Sequence, residues 1–398
     1  MEGRIHALGS THNRYHQGST IHCFNRVIKM TNTQSLLVTP FHAFHLDQGA
    51  KMVDFAGWDM PLHYGSIINE HKHVRKSGGL FDVSHMGRLR FTGRDSCKFL
   101  DRICTRQILG MQDGQVRYSI VCNEDGGCKD DVLIYKISNS EYMMVCNGSN
   151  REKLLSHIED NRGDYVFRMK DETLATAMIA VQGPKVMDML SSFSSDISTL
   201  KRYRFTTINL FIAKIVISRT GYTGEDGVEI ILPSSFAQKV IDQIMKNMED
   251  ESVVLPVGLG ARDSLRLEAG MPLYGHELSE EIDPLSAGLA FAIQLDKGIG
   301  DNEAEPFIGQ ETLRQISESG LKRKRVGLKF DGRRIPRQHM SVLSEGTIVG
   351  EITSGCLSHT FGYPIAMAYI PSDFEGETVD VDYGNHQMPA IIVALPFQ

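Results

Sequence analysis

The sequence predicts an α+β protein of two or three domains that ends in a small all-β domain, and three observations carry the prediction. Its 398 residues exceed what one hydrophobic core usually serves. Between Arg90 and Arg168, strand-like runs surround a glycine turn and lead into an amphipathic helix. Beyond Lys324 helical periodicity ceases. Short runs at 326–330, 348–352, 365–369, 378–382 and 390–394, separated by turn residues, suggest a small barrel or sandwich.

Composition narrows the class. Forty-one per cent hydrophobic and 23% charged residues are ordinary for a globular chain. No run of about 18 apolar residues offers a membrane span. A formal charge of −7 supplies no basic face for nucleic acid. Seven cysteines, an odd number without a C-x-x-C pair, argue for reduced thiols rather than a disulfide scaffold or zinc ribbon. That fits a reducing compartment: the cytoplasm, or the mitochondrial matrix if the leader is a targeting peptide.

The first thirty residues carry one acid, Glu2, against Arg4, Arg14, Arg26 and Lys29, and show no apolar periodicity. They read as a disordered leader over 1–35. It is either an organellar targeting segment with a poor amphipathic face or a stretch preceding a true start at Met30.

From Thr39 the chain becomes dense. Lys51 to Leu62 reads as a buried strand entering a Gly-Trp turn, and Ser66 caps a helix through Lys76 that Gly78 and Gly79 stop. His71, His73 and His85 invite a zinc reading. On a helix, however, His71 and His73 point about 200° apart, and no partner has ligand spacing; no metal is expected. Residues 79–87 form a turn into a strand. Asn150 is placed as the cap of a helix carrying Leu154, Leu155 and Ile158. Gly183-Pro184 opens another helix. Residues 215–231 are two strands around a glycine-rich turn that fits neither dinucleotide nor P-loop signatures. Ser235 and Gln238 suggest a capping box. Arg262 and Arg266 lie one turn apart on a further helix. The domains expected are 36–89 with 172–295 (α+β, discontinuous), 90–171 (α+β), a linker at 296–323, and 324–398 (β).

The functional interest centres on residues 123–136, NEDGGCKDDVLIYK. Asn, Asp and paired Gly make a turn, and the run after it makes a strand. Alternation places Asp131, Leu133 and Tyr135 on one face, and Asp130, Val132 and Ile134 on the other. A carboxylate, an aliphatic wall and an aromatic ring thus line up over about 13 Å, long enough for a planar, partly charged ligand. The plain alternative is a hairpin whose acidic pair sits in solvent. Glu229, alternating with Val228 and Ile230, faces away from them, toward a solvated face or a ligand.

From about Ser35 to Phe397 the chain resembles the aminomethyltransferases, the T-proteins of the glycine cleavage system. The matching stretches are KMVDFAGWDMPL, GLFDVSHMG, RYSIVCNEDGG with DDVLIYK, SRTGYTGEDGVEI, PVGLGARDSLRLEAGMPLYGHEL and ITSGCLSHTFG. The resemblance implies a three-domain cloverleaf, with two α+β domains and a C-terminal all-β barrel-like domain, and tetrahydrofolate in a central channel. It implies a partner, H-protein, whose dihydrolipoyl sulfur carries the aminomethyl group. The products are ammonia and 5,10-methylenetetrahydrofolate. By the same resemblance Asp131 is the catalytic carboxylate. Met86, Tyr118, Leu133, Tyr135, Asn147, Tyr222, Glu229 and Arg262 surround the folate. Glu229 and Arg262, in separate motifs, are expected to hold its ends independently, and Asp130→Asn is expected to cost little, since alternation turns that side chain from the ligand face. Phe291 stands where the family often has tryptophan, and Ser358-His359 replaces its Ser-Pro. Two other readings share the features: a tetrahydrofolate-dependent demethylase of methylated amines or sulfonium compounds, and a folate-binding regulator, whose K-G-C-Y-x-G-Q motif is missing here. Deleting residues 1–30 is expected to leave melting temperature and activity unchanged; a drop of more than a few degrees in a thermal melt would show that the segment docks on the body.

Overall fold

Four sheets organise the protein in the computed structural model, which describes residues 35–191, 195–210, 213–246, 253–300 and 303–397. The expected leader, up to residue 34, lies outside the described residues. A five-stranded antiparallel sheet runs in the order Val116–Cys122, Cys128–Ser138, Glu141–Cys146, Gly87–Thr92, Arg168–Asp171. A six-stranded sheet runs Phe205–Leu210, Ala213–Ser218, Gly227–Pro233, Thr176–Gln182, Gly79–Asp82, Leu255–Pro256, with only the last pair parallel. A three-stranded sheet is made by Leu37–Val38, Lys51–Phe55 and Trp58–His63. The C-terminal strands close a six-stranded barrel. Five of its strands were legible as β-branched runs; the sixth, Ser341–Ser344, is too short and polar to show the pattern.

Alternation decides how the two large sheets meet. One face of the six-stranded sheet, with Ala177, Ile179, Val228 and Ile230, packs under helices that contribute Val186, Leu190 and Ile241. One face of the five-stranded sheet, with Val121, Val132, Ile134 and Met144, is covered by helices Ser96–Ile103 and Arg151–Asp160. The remaining faces turn toward each other and share a core of Phe81, Val116, Tyr135, Met143, Val145, Met178, Val216 and Ile231, closed by Ala261 and Leu265 of the helix Leu259–Glu268. The result is helices, sheet, sheet, helices.

Ser66 does cap Ile67–Lys76, accepting from the Asn69 amide at 3.3 Å. The capping box expected at Ser235 does not form: a short 3-10 turn, Ser234–Phe236, precedes the helix Ala237–Lys246. The segment expected to be a linker is packed instead. Lys297 and Leu313 are both 0% exposed, and the Lys297 ammonium donates to the carbonyls of Asp101 and Cys104. A charged residue marks a linker only when its charge stays in water, and this one is spent on helix-end carbonyls. The helix Gln310–Ser319 lies against the hairpin turn, where Thr312 Oγ1 donates to the Glu124 carbonyl at 2.8 Å.

The turn at 123–127 is fixed from both sides. Asn123 Oδ1 accepts from the Gly127 amide at 2.8 Å, and its Nδ2 donates to the Glu280 carbonyl at 3.0 Å. Lys129 pairs with Glu280 at 3.0 Å. A Cβ on Gly127 would lie 1.8 Å from that Glu280 carbonyl oxygen. Gly127→Ala therefore should lower the melting temperature, at a cost of about 1–3 kcal/mol for forced overpacking; an unchanged melt would show that the loop at Glu280 yields freely.

Candidate active site

Alternation on strands from separate motifs aims the predicted residues into the layer between the two large sheets. Asp131, Leu133 and Tyr135 project from one sheet, Glu229 from the other, on the same side as Ile231. Of the nine residues singled out by sequence, Tyr135 and Glu229 are buried, and the other seven keep partly exposed surfaces.

Asp131 lies opposite Ile120 in the sheet. Its Oδ2 accepts from the Tyr118 hydroxyl at 3.2 Å and its Oδ1 from Asn147 Nδ2 at 2.8 Å. Burial raises its pKa, against the pull of those two hydrogen bonds. Tyr118 is held fully protonated by burial and by the Asp131 charge, and its ring stacks on Phe291 at 6.0 Å. Phe291 is 65% exposed, so the position where the family often has tryptophan forms an outer aromatic face continuous with Tyr118.

Tyr222 joins the two ends of the site. Its hydroxyl donates to the Pro272 carbonyl at 2.5 Å and is influenced by Asp131, Arg262 and Arg266. The Arg262 guanidinium sits over the Tyr222 ring at 5.0 Å. Its Nη1 is buried with no hydrogen-bond partner among the described residues. Burial lowers the Arg262 pKa, and Glu229 and Tyr222 oppose that effect. Glu229, 4% exposed, accepts from Thr220 Oγ1; burial raises its pKa, opposed by Thr220 and Arg262. Each charge favours the ionised form of the other group, so their action on a ligand is expected to be coupled rather than independent.

Tyr135 differs from its expected role as an open wall. It is 0% exposed, packs on Phe205 at 5.4 Å, and hydrogen-bonds Ser218 at 3.0 Å. Ser218 in turn meets Thr220 at 2.8 Å. Tyr135 thus reaches Glu229 through two hydroxyls rather than through its ring face. Met86 and Leu133 pack at the edge of the shared core.

Three features escaped the sequence reading. Asp130 is on the far face, as alternation required, and that face is a core: it is 0% exposed. It accepts from the Asn147 backbone N–H at 3.0 Å, from Asn147 Nδ2 at 2.8 Å and from Asn150 Nδ2 at 2.6 Å. Burial and the neighbouring Asp131 push its pKa up to about 8. Asn150 is spent on this carboxyl, and makes no side-chain cap on Arg151–Asp160. The available signal was a carboxylate at an inward position of a strand, which always needs partners. The second feature is His85, whose pKa burial lowers to about 4, with Arg262 and Arg88 adding to the effect and Asp82 opposing it. It is a neutral imidazole beside Phe55, at 5.3 Å. The third is the far side of helix Leu259–Glu268. Arg266 pairs with Glu277 at 2.9 Å and Ser354 at 2.7 Å, while Glu268 accepts from Ser358 at 2.6 Å and Thr360 at 2.7 Å. The Ser358-His359 departure is therefore accommodated: Ser358 ties the barrel to the site helix, and His359 packs edge-on against His71 at 5.1 Å. A separate opening of about 400 Å³ behind the hairpin turn, lined by Arg102, Lys297, Phe307 and Arg314 among others, contains none of the nine residues.

Residues 41–297 match the family model of the GCVT N-terminal domain, and residues 323–398 that of the glycine cleavage T-protein C-terminal barrel domain. The chain belongs to the glycine cleavage T-protein family. It is 42% identical over 360 residues to an aminomethyltransferase of Rubrobacter xylanophilus, covering 90% of this chain and 93% of that one. An aminomethyltransferase of Caldanaerobacter subterraneus subsp. tengcongensis is 40% identical over 363 residues, covering 90% and 95%. Among solved structures, the glycine cleavage system aminomethyltransferase T of Bartonella henselae superposes with a TM-score of 0.83 at 31% identity, covering 92% of this chain and 98% of that one. The three-domain α+β architecture with a terminal barrel follows the family. Among the described residues no helix is long and apolar enough to cross a membrane.

Two arginines on one helix give a test of which side is built for a ligand. Arg266→Met should destabilise by about 3–5 kcal/mol, because it strands the buried Glu277 charge. Arg262→Met should leave stability within about 1 kcal/mol of wild type or raise it, since groups kept for binding are often costly to the fold. Denaturant melts of both variants decide; equal losses would make Arg262 a structural residue.

Proposed function

We propose that this chain transfers the methylene of an aminomethyl group, carried on the dihydrolipoyl arm of H-protein, to tetrahydrofolate with release of ammonia, and that Asp131 is the acting carboxylate. The single observation that supports it most is Asp131, held by Tyr118 and Asn147, and a buried Arg262 Nη1 with no partner among the described residues, both acting on Tyr222. A carboxylate at one end and an unsatisfied guanidinium at the other suit a ligand with a basic ring edge and acidic groups.

The residues fit tetrahydrofolate. Glu229, fixed by Thr220, accepts from a guanidine-like ring edge, and the Arg262 fork donates to an acidic or carbonyl group. Tyr118, Phe291, Leu133 and Met86 supply apolar and aromatic surface. When bound, tetrahydrofolate supplies the amine that takes up the one-carbon unit. Asp131 accepts a proton at Oδ1 or Oδ2 and stabilises positive charge developing at the aminomethyl carbon. Tyr118 and Asn147 hold its two oxygens so that little reorganisation is needed. His85 stays neutral near the site at physiological pH and so adds no competing positive charge. Because burial raises the Asp131 pKa, the proton acceptor is lost on acidification sooner than an ordinary carboxylate would be: the acid limb of kcat should lie above about pH 4. The compartment proposed is the cytoplasm, or the mitochondrial matrix should the first residues act as a targeting signal. Relatives matching nine-tenths of the chain are aminomethyltransferases, so the demethylase and regulator readings are set aside.

Asp131→Asn keeps shape and removes the charge. Folate affinity should stay within about tenfold of wild type, while turnover with loaded H-protein falls on the order of 10² or more. Near-normal turnover would sink the assignment. For the other end, calorimetry on Glu229→Gln, Arg262→Ala and the double variant should show each single change weakening folate binding by roughly 1.5–3 kcal/mol. Their effects should couple by about 0.5 kcal/mol or more rather than add, as for residues sharing one pocket; strict additivity would mean that the two side chains do not share it.

A further inference from the structure

Asp130 is a buried charge-bearing side chain that the proposed mechanism does not use. It projects into the apolar core beneath helices Ser96–Ile103 and Arg151–Asp160, on the side of Val132 and Ile134. All its hydrogen-bond partners lie on one short segment: the Asn147 backbone N–H, Asn147 Nδ2 and Asn150 Nδ2. A carboxyl in such a core costs stability, and a same-shaped apolar residue would pack there at least as well. What the arrangement does accomplish is geometric. Asn147 Nδ2 lies 2.8 Å from Asp130 Oδ1 and 2.8 Å from Asp131 Oδ1. An amide nitrogen carries two hydrogens in one plane, so fixing one on Asp130 aims the other at Asp131. The Asn147 backbone N–H is held by the same carboxyl, which leaves the side chain little freedom to swing away. The following residue is locked as well: a Cβ on Gly148 would meet the His85 carbonyl oxygen at 2.6 Å.

We propose that Asp130 is a positioning residue for Asp131, acting through the one Asn147 amide that both carboxyls share. This rests on Asp131 being the acting carboxylate in the function proposed above. The carboxyls are then one titrating unit. Burial raises both, and their mutual repulsion adds to the rise at Asp130. Other titratable groups face the pair from each neighbouring element. Cys128 is on the same strand, and Cys146 on the next, with Arg88, Arg151 and Asp171 beyond it. Tyr274 faces Asp130, while Tyr118 and Tyr222 face Asp131. The cysteines and tyrosines are all pushed upward by burial and stay neutral across the range in which the carboxyls titrate. Asp130 ionises after Asp131 and is uncharged while Asp131 titrates. A substitution at 130 therefore reaches Asp131 through the shared Asn147 amide, whose hydrogen bond holds the Asp131 pKa down. Loosening that amide should make Asp131 ionise at higher pH.

The test combines a substrate-free titration with kinetics. Carbon-13 NMR of aspartate-labelled protein should show one carboxyl resonance, absent in Asp131→Asn, that titrates above the ordinary range of about 4. Asp130→Asn should move that titration to higher pH, because an Asn147 amide no longer fixed by Asp130 donates less well to Asp131. In turnover with loaded H-protein, Asp130→Asn should lower kcat about tenfold or more through misplacement of Asp131, with the tetrahydrofolate KM within about threefold of wild type. In an Asn147→Ala background the same substitution should change kcat less than about twofold, because its route of action is gone. An equal kcat loss with or without Asn147, or an Asp131 resonance that ignores Asp130→Asn, overturns the proposal. Should that variant not fold, the wild-type titration decides: an Asp131 resonance at an ordinary carboxyl pH, unmoved by Asn147→Ala, also overturns it. Inactive wild-type protein would count against the proposed function, while the titration still decides the coupling of the two carboxyls.

Discussion

Adjacent carboxyls on one strand, Asp130 sealed in the core and Asp131 partly exposed in the site, set the constraint that the rest of the structure satisfies. Alternation sends Asp130 and Asp131 to opposite faces, so no single pocket can neutralise both. Among the described residues neither accepts a hydrogen bond from a cation; both are held by amide and phenol donors. Such donors stabilise a carboxylate without cancelling its charge, which leaves Asp131 a base. Its exact placement then depends on everything that fixes the strand: the Asn123 turn, the Glu280 loop that clamps it, and the helix Gln310–Ser319 behind it.

The helix Leu259–Glu268 plays the complementary part. Three of its four charged residues, at 262, 266 and 268, point into the protein, while Asp263 pairs with Arg266 from the outer side. Arg266 and Glu268 are consumed in buried networks with Glu277, Ser354, Ser358, Thr360 and Arg75. These tie the barrel to the two sheets. Arg262 alone of the three faces the site with an unused donor. The contrast matters because a buried ion pair by itself is weak grounds for function, whereas a buried donor without an acceptor calls for a partner that arrives later. The barrel's role follows from the same contacts: it holds the helix that holds Arg262.

Much of this was legible in the sequence, and the reason is period two. Strand alternation alone put Asp131, Leu133 and Tyr135 on one face and turned Glu229 from its apolar neighbours, which brought all four into one layer once the sheets packed face to face. What alternation lacks is depth. It could not say that Tyr135 is sealed in the core and hydrogen-bonded toward Ser218 and Thr220, or that the Glu229 and Arg262 charges act on each other. Composition misled at Lys297, where a charged stretch looked like a linker but its cation is buried among carbonyls. At Asp130 the face was right, but alternation could not show that the far face of this strand is a core in which the carboxyl is hydrogen-bonded.

The account places the reacting group between Asp131 and Arg262, in the layer where the two sheets meet. The most direct measurement is a crystal structure of the chain with 5-methyltetrahydrofolate, which cannot accept a further one-carbon unit at that nitrogen. The account predicts the ring system in that layer, contacting Glu229, with Arg262 Nη1 acquiring an acceptor. Ligand found instead in the opening lined by Lys297, Phe307 and Arg314, with Arg262 still unpartnered, would contradict it.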